Sequence, residues 1–213
     1  MKEYNLLATS IKKLKAKRNN HQRKLKPTKP NEVWGIDMTK IMIPSFGWLY
    51  LEVVLDWHTK KIIGYQIDSM SRARQWLDAL NMAVNTQFPY GIRREAKEKV
   101  KLVSDNGSQP TSETFMKEAS PLVEQVFASY NNPRGNADTE RVIRTIKEDL
   151  VWPREWDNVY EFKDALEKWI KDYNEDFPHS SLNYMTPAEF EAKALELEIM
   201  SKQEACSSNL FLA

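Results

Sequence analysis

The sequence has only one cysteine and three histidines among its 213 residues, and both shortages exclude classes of site. Cys206 has no partner for an internal disulfide and cannot supply a multi-cysteine zinc site. The three histidines are far apart and form no HExxH motif. GxSxG, Walker lysine and GxGxxG motifs are absent as well. These absences exclude a disulfide framework, a multi-cysteine zinc site and the common motif-based hydrolase, metalloprotease and nucleotide-binding sites.

Long hydrophobic runs are missing too. The stretch 48–55 contains Glu52 and is followed by Asp56, so it falls far short of the roughly 18 uncharged residues that a membrane-spanning helix needs. The first residues show a short apolar patch, a run of lysines and no small-residue cleavage pattern, so we expect no secretory signal. With 41% hydrophobic residues, the composition predicts one globular cytoplasmic domain with an appendage.

The near balance of 31 basic and 30 acidic residues hides an uneven distribution. Residues 1–30, here called the basic arm, carry ten Lys or Arg and a single acid, and the rest of the chain is acidic overall. Such a segment is typical of an arm that lies along DNA phosphates, although a solvated tail has the same composition. The arm residues expected to contact DNA are Lys12, Lys13, Lys15, Lys17 and Arg18.

The pattern after the arm predicts an α/β fold. Short extended runs at 33–37, 48–56 and 61–67 predict an antiparallel meander, and two more strands are expected at 99–104 and 122–127. Helices are expected at 73–85, with Ser71 as N-cap, at 111–119 and at 137–150. The order β-β-β-α-β-α-β-α is that of the ribonuclease H-like fold, with a five-stranded mixed sheet and flanking helices.

Two further helices are expected after this core, which we place at residues 31–151. Asn158 with Glu161 predicts one helix start, and Thr186 with Pro187 and Glu189 predicts another, whose helix runs to about residue 202. Residues 152–205 are thus predicted to form a C-terminal helical extension, and residues 206–213 a tail.

Most of Trp34, Trp48, Trp57, Trp76 and Trp169 are expected to lie in the core. Trp152 and Trp156 flank Pro153 and have two interpretations: stacking on an unpaired base or, as we expect, core packing. His179, in a loop before a helix cap, is predicted to have a structural role.

Three acids occupy positions that a metal site requires. Asp37 lies on the first strand, Asp105 follows the fourth, and Glu140 lies in the first turn of the third helix. The first and fourth strands are neighbours in the predicted fold. Two carboxylates about 4 Å apart repel each other by roughly 4 kcal/mol at an effective dielectric of 20, so a cation must offset them. Mg²⁺ suits such oxygen ligands, and a pair of ions can activate an attacking oxygen and stabilise the leaving one.

Simpler interpretations exist for each acid. Asp37 is also compatible with a strand-end acid, Asp105 with an ordinary Asp-Asn-Gly turn, and Glu140 with a surface pair to Arg144. Asp56 is a rival ligand, but it ends the second strand at a tight polar turn, and we predict that it serves that turn.

The helix that carries Glu140 has two distinct faces. At about 100° per residue, Arg144 and Lys147 fall within about 40° of Glu140, whereas the apolar residues occupy a different sector. The basic pair is therefore expected to hold DNA phosphate beside the metal ligand.

The chain resembles a known family in four runs: NEVWGIDMT, LVSDNGSQPTS, PRGNADTERVIRTIKEDL and YNEDFPHSSLNYMTPAEF. They are similar to the integrase-type catalytic core of bacterial insertion-sequence transposases of the DDE class, which are related to retroviral integrases. The resemblance covers about residues 25–195 and keeps the family's motif order. Family members usually carry a helical DNA-binding region before the core, so we expect this chain to be a truncated or internally initiated product.

The resemblance implies a catalytic triad of Asp37, Asp105 and Glu140, with two Mg²⁺ or Mn²⁺ ions per site, and a contact between Lys147 and the element's terminal DNA. Asn106 and Gln109 are expected to shape the loop at the scissile phosphate.

The resemblance also implies a function: metal-dependent cleavage and strand transfer at insertion-sequence ends, hence DNA integration and recombination. It predicts a homo-oligomer on element-end and target DNA in the bacterial nucleoid, with an upstream-frame DNA-binding protein as a further partner. Two alternatives remain open. One is a nuclease on the same fold, and the other is a truncated DNA-binding remnant that inhibits full-length transposase.

Overall fold

A computed structural model describes residues 25–91, 99–128 and 135–210, with side chains up to 201 and at 203. Five strands form one mixed sheet: β1 (Val33–Ile43), β2 (Gly47–Asp56), β3 (Ile62–Asp68), β4 (Val100–Ser104) and β5 (Val123–Phe127). Their order in the sheet is β3-β2-β1-β4-β5. The pairs β1–β2 and β2–β3 are antiparallel, whereas β1–β4 and β4–β5 are parallel. The predicted five-stranded mixed sheet of the ribonuclease H-like fold is confirmed.

Helices cover both faces of the sheet. They are α1 (Ala73–Gln87), α2 (Glu113–Ala119), α3 (Ala137–Ile146), α4 (Val159–Glu175) and α5 (Pro187–Leu210). One hydrophobic core joins the sheet to α1 and α2, and a second joins its other face to α3 and α4. No helix within the described ranges is long and apolar enough to cross a membrane.

The first strand is longer than predicted. We expected it to end at Asp37, but β1 continues to Ile43 and pairs with β2 along its whole length, as far as Ile43 opposite Gly47. Ile41 and Ile43 are buried against the α4 side of the sheet, and this burial explains why the strand continues. Asp37 therefore lies in the interior of a strand and not at its end.

The N-caps predicted from sequence form at two of the three helix starts for which one was named. Thr186 Oγ1 accepts from Glu189 N (3.2 Å) and Glu189 Oε2 accepts from Thr186 N (2.9 Å), which confirms the predicted capping box. The Asn158 side chain caps α4 as expected. The prediction for Ser71 is wrong by one residue, because Arg72 is the N-cap of α1 and the Ser71 hydroxyl accepts instead from Trp76 Nε1.

The prediction that most of the five tryptophans on strands and helix faces lie in the core is confirmed, since Trp48 alone among them is exposed, whereas core packing of Trp152 is wrong. Trp156 is buried against Phe162, as predicted, with 5.0 Å between ring centroids. Trp152 is 65% exposed and Trp48 is 51% exposed. Trp48 follows the turn between β1 and β2 and is the second residue of β2.

Candidate active site

The register between β1 and β4 brings Asp37 level with Asp105. Gly35 pairs with Val103 in this parallel ladder, so two further residues along each strand lead to the two aspartates. The β4 strand ends at Ser104, so Asp105 is the first residue after the strand. Asp37 is half-buried, whereas Asp105 is exposed. The expected approach of these two acids is thus explained by strand pairing.

A close packing contact fixes the start of α3 on β1. The side chain of Thr139 accepts a hydrogen bond from Trp57 Nε1 (3.0 Å), and Asn136 Nδ2 donates to Ile36 O (3.2 Å). Gly35 lies beneath this contact, and a Cβ there would collide with Thr139 Oγ1 and Trp57 Nε1. The contact holds the first turn of α3, which carries Glu140, over the strand that carries Asp37.

The pKa of Asp37 indicates that the three acids share one electrostatic environment. The pKa of Asp37 is raised to about 6; burial is the largest cause, and the negative charges of Asp105 and Glu140 contribute to the rise. The backbone N–H of Met38, which donates to Asp37 Oδ1 at 2.8 Å, and the charge of Lys147 act in the opposite direction. The site is therefore deficient in positive charge at Asp37.

The loop after β4 is held by its own side chains. Asp105 Oδ1 accepts from Gly107 N (2.9 Å), which is the turn that the Asp-Asn-Gly sequence predicts. Asn106 Nδ2 donates to Ala128 O beyond the end of β5, and Gln109 Nε2 donates to Ser71 O before α1. Both amides thus anchor the loop between neighbouring elements.

Arg144 and Lys147, the two basic residues predicted to lie beside Glu140, differ in their surroundings. Arg144 is exposed, and its Nε lies 2.7 Å from Glu148 Oε1, so its ion pair runs towards the C terminus of the helix. The surface pair considered from sequence had Glu140 as the partner. Lys147 begins a π-helical turn (Lys147–Val151) that continues α3, and its charge acts on Asp37. Lys147 is therefore the cation of this helix that belongs to the acidic site.

Asp56, the rival acid, serves the turn after β2 as predicted. Its carboxylate accepts from the backbone N–H groups of Asn31 (2.6 Å), His58 (2.7 Å) and Thr59 (3.0 Å).

His179 has structural contacts. Its backbone N–H donates to Met185 O (3.0 Å), and its ring meets the Tyr173 ring edge to face at 4.9 Å.

The donor set fits a hard divalent cation. All three candidate ligands are carboxylates. Asp37 Oδ1 accepts a hydrogen bond from the backbone N–H of Met38, and carboxylate lone pairs remain for a ligand. Among the residues that the structure describes, no three His, Cys, Asp or Glu side chains are grouped closely enough to form a preassembled metal cluster. Asp105 and Glu140 are exposed side chains at the edge of the site.

Two sets of residues fall outside the predicted residues that the structure describes: the cations of the basic arm, and a packing contact that the sequence did not predict. Lys12, Lys13, Lys15, Lys17 and Arg18 of the basic arm lie outside the described residues. Sequence reasoning missed the contact of Gly35, Trp57 and Thr139. Its only sequence signal is a glycine inside a strand pattern, which often marks a close backbone approach.

The chain is similar in sequence to a known protein family and to named transposases. The model of the integrase core domain family matches residues 27–176. The transposase for insertion sequence element IS904 of Lactococcus lactis is 30% identical over 168 residues, which cover 78% of this chain and 63% of that protein. A putative transposase for IS986/IS6110 of Mycobacterium tuberculosis is 27% identical over 177 residues, or 80% of this chain and 61% of that protein. The chain thus spans less than two thirds of the length of these relatives.

A solved structure shares the fold. The HTLV-2 integrase catalytic core domain, determined in complex with magnesium in its dimeric form, has a TM-score of 0.57 and 16% identity to this chain. The match covers 77% of this chain and 98% of that domain.

Proposed function

We propose that this chain, which belongs to the integrase core domain family, is the catalytic part of an insertion-sequence transposase. It cleaves DNA at element ends and joins those ends to target DNA. One observation carries the proposal. The β1–β4 register places Asp37 level with Asp105, and the negative charges of Asp105 and Glu140 both act on the Asp37 carboxylate and raise its pKa.

The carboxylates of Asp37, Asp105 and Glu140 would hold Mg²⁺ or Mn²⁺, two ions in the loaded site. When bound, such ions make a water or a 3′ hydroxyl a better nucleophile and stabilise the leaving oxygen. Mg²⁺ is usually held by few carboxylates together with substrate phosphates. The exposed positions of Asp105 and Glu140 therefore suit a site that is completed when DNA arrives.

The chain's own residues position the DNA. Lys147 attracts the phosphate that approaches Asp37, because its charge already acts on that carboxylate. Asn106 and Gln109 keep the loop of Asp105 in place through their contacts with Ala128 and Ser71. The Trp57–Thr139 hydrogen bond keeps Glu140 over the same strand.

We also propose the setting of the reaction. The partners are element-end DNA, target DNA and further copies of the chain assembled on that DNA. An upstream-frame protein is proposed to supply additional DNA binding. The compartment is the bacterial cytoplasm, at the nucleoid when DNA is bound.

A strand-transfer assay with pre-cleaved ends tests this function. The full chain should join the ends to a target in Mg²⁺ or Mn²⁺ and not in EDTA. Asp37→Asn, Asp105→Asn and Glu140→Gln should each abolish joining and keep the cooperative unfolding transition. Asp149→Asn, the same type of exchange at an exposed acid of the π-helical turn, is the matched control and should remain active.

Other outcomes would assign a different function. Cleavage without joining would indicate a nuclease on this fold. DNA binding without either reaction would favour a binding remnant. Full activity in one of the three variants would remove that residue from the triad.

A further inference from the structure

The outward face of the β1–β2 hairpin is an exposed surface that the proposed reaction does not use. Four side chains form this surface, and they lie opposite each other in two cross-strand pairs. Lys40 of β1 lies opposite Tyr50 of β2, and Met42 of β1 lies opposite Trp48 of β2. Their alternate neighbours Ile41 and Leu49 are buried on the opposite side of the sheet. Trp48 is 51% exposed and Met42 is 47% exposed. We call this set of four residues the hairpin face.

The hairpin face continues into a cavity of about 380 Å³. Lys40 and Tyr50 line it from the hairpin, Met70 and Arg72 from the segment before α1, and Gln109 from the loop of Asp105. Gln109 Nε2 donates to Ser71 O, another lining residue, at 3.3 Å. The cavity thus connects the hairpin face with the loop that carries a candidate metal ligand.

The chemistry of this surface suits an unpaired nucleic-acid strand. Trp48 and Tyr50 are two residues apart on one strand, so their side chains project from the same face of the sheet. Two aromatic rings on one face offer separate surfaces on which unpaired bases can stack. Lys40 Nζ lies 5.4 Å from the centre of the Tyr50 ring, and Arg72 supplies a second cation for phosphate.

We propose that the hairpin face and its cavity bind an unpaired DNA strand that leads to the candidate active site. Bases stack on Trp48 and Tyr50, and phosphates lie at Lys40 and Arg72. This inference rests on the proposed function, since it adds a second contact region for the same DNA. Duplex DNA does not offer its base faces to such rings, so the surface distinguishes unpaired from paired strands.

Binding measured in EDTA separates this inference from the chemistry. The full chain is titrated against a fluorescent blunt duplex and against the same duplex with a five-nucleotide single-stranded extension. The extended DNA should bind at least about five-fold more tightly, as expected for one or more stacked bases. The double variant Trp48→Leu/Tyr50→Leu should reduce that ratio to about one and leave the affinity for blunt DNA unchanged.

Matched controls lie elsewhere on the surface. Tyr160→Leu removes a 77% exposed aromatic ring from α4, outside the hairpin face, and should keep the ratio. Arg72→Gln should lower the ratio, whereas Arg74→Gln, the same exchange two residues further along α1, should not. Circular dichroism and urea unfolding check that each variant is folded.

The outcomes are distinct. A wild-type chain that binds neither DNA would contradict the proposed function. Equal binding of both DNAs, or an unchanged ratio in the double variant, would overturn only the present inference. Analytical ultracentrifugation supplies another outcome that would overturn the inference. If the wild-type chain is a dimer, the double variant is a monomer and the ratio of DNA affinities does not change, the hairpin face is a contact between two copies of the chain.

Discussion

Glu52 should make the stability of this protein depend on pH near neutrality. It lies on β2 between Met38 and Gln66 of the adjacent strands and is completely buried. Within the described ranges, neither carboxylate oxygen has a hydrogen-bond partner. Burial is the largest cause of a rise in the pKa of Glu52 from 4.5 to about 7, and the nearby negative charge of Asp68 contributes to that rise.

The sign and size of the effect follow from these two pKa values. Between pH 4.5 and about 7, Glu52 is ionised in the unfolded chain and protonated in the folded one. The folded state therefore binds more protons, and this group lowers stability by roughly 1.4 kcal/mol for each unit of rising pH. The accumulated cost is about 3 kcal/mol above pH 7 and is absent below pH 4.5.

Glu52→Gln removes the charge and keeps the shape, so it should abolish this cost. The difference in unfolding free energy between variant and wild type should move in favour of the variant by about 3 kcal/mol from pH 4.5 to pH 8. Urea unfolding followed by tryptophan fluorescence at several pH values measures it. Glu124→Gln, at an exposed site on β5, controls for the exchange itself. A difference that does not vary with pH would refute the reasoning.

Three further predictions concern the site and its approach. Gly35→Ala should destabilise the fold by about 1–3 kcal/mol and reduce strand transfer, because the new Cβ displaces α3 and Glu140; normal joining would contradict this. Lys147→Ala should impair end processing more than bulk DNA affinity, whereas Arg144→Ala, which removes an exposed ion pair, should affect processing less. Replacing the arm cations by Gln should reduce the slope of log affinity against log salt by about 0.9 per lost phosphate contact, and catalysis on a pre-bound end should persist. An unchanged slope would show that the arm is a solvated tail. The arm positions exchanged are Lys12, Lys13, Lys15, Lys17 and Arg18.

Sequence predicted best what a few adjacent residues determine. The Thr186 capping box needs only Glu189 three positions later, and it forms as expected. The turn of Asp56 is equally local, since two of its three donors are the N–H groups of His58 and Thr59. The order of strands and helices then followed from alternating patterns and from the handful of connections that such an order allows.

Features that depend on distant partners were not visible in the sequence. Whether β1 ends at Asp37 or at Ile43 is decided by β2 and by the helix side of the sheet. Trp152 is a large aromatic residue of the kind that usually packs in a core, yet it is 65% exposed, and its position depends on tertiary packing that the local pattern does not reveal. The contact between Gly35 and Thr139 joins residues far apart in the chain, so no local pattern predicts it.

The parallel pairing of β1 with β4 also has a kinetic consequence. The meander β1–β2–β3 can form from neighbouring segments, but the β1–β4 ladder requires closure across β2, β3 and α1. Contacts of high sequence separation are slow to form, because the chain loses loop entropy before the contact repays it. Asp37 and Asp105 meet only through this ladder. During refolding, the amides of the β1–β4 ladder should therefore gain protection from hydrogen exchange later than those of the β1–β2–β3 meander.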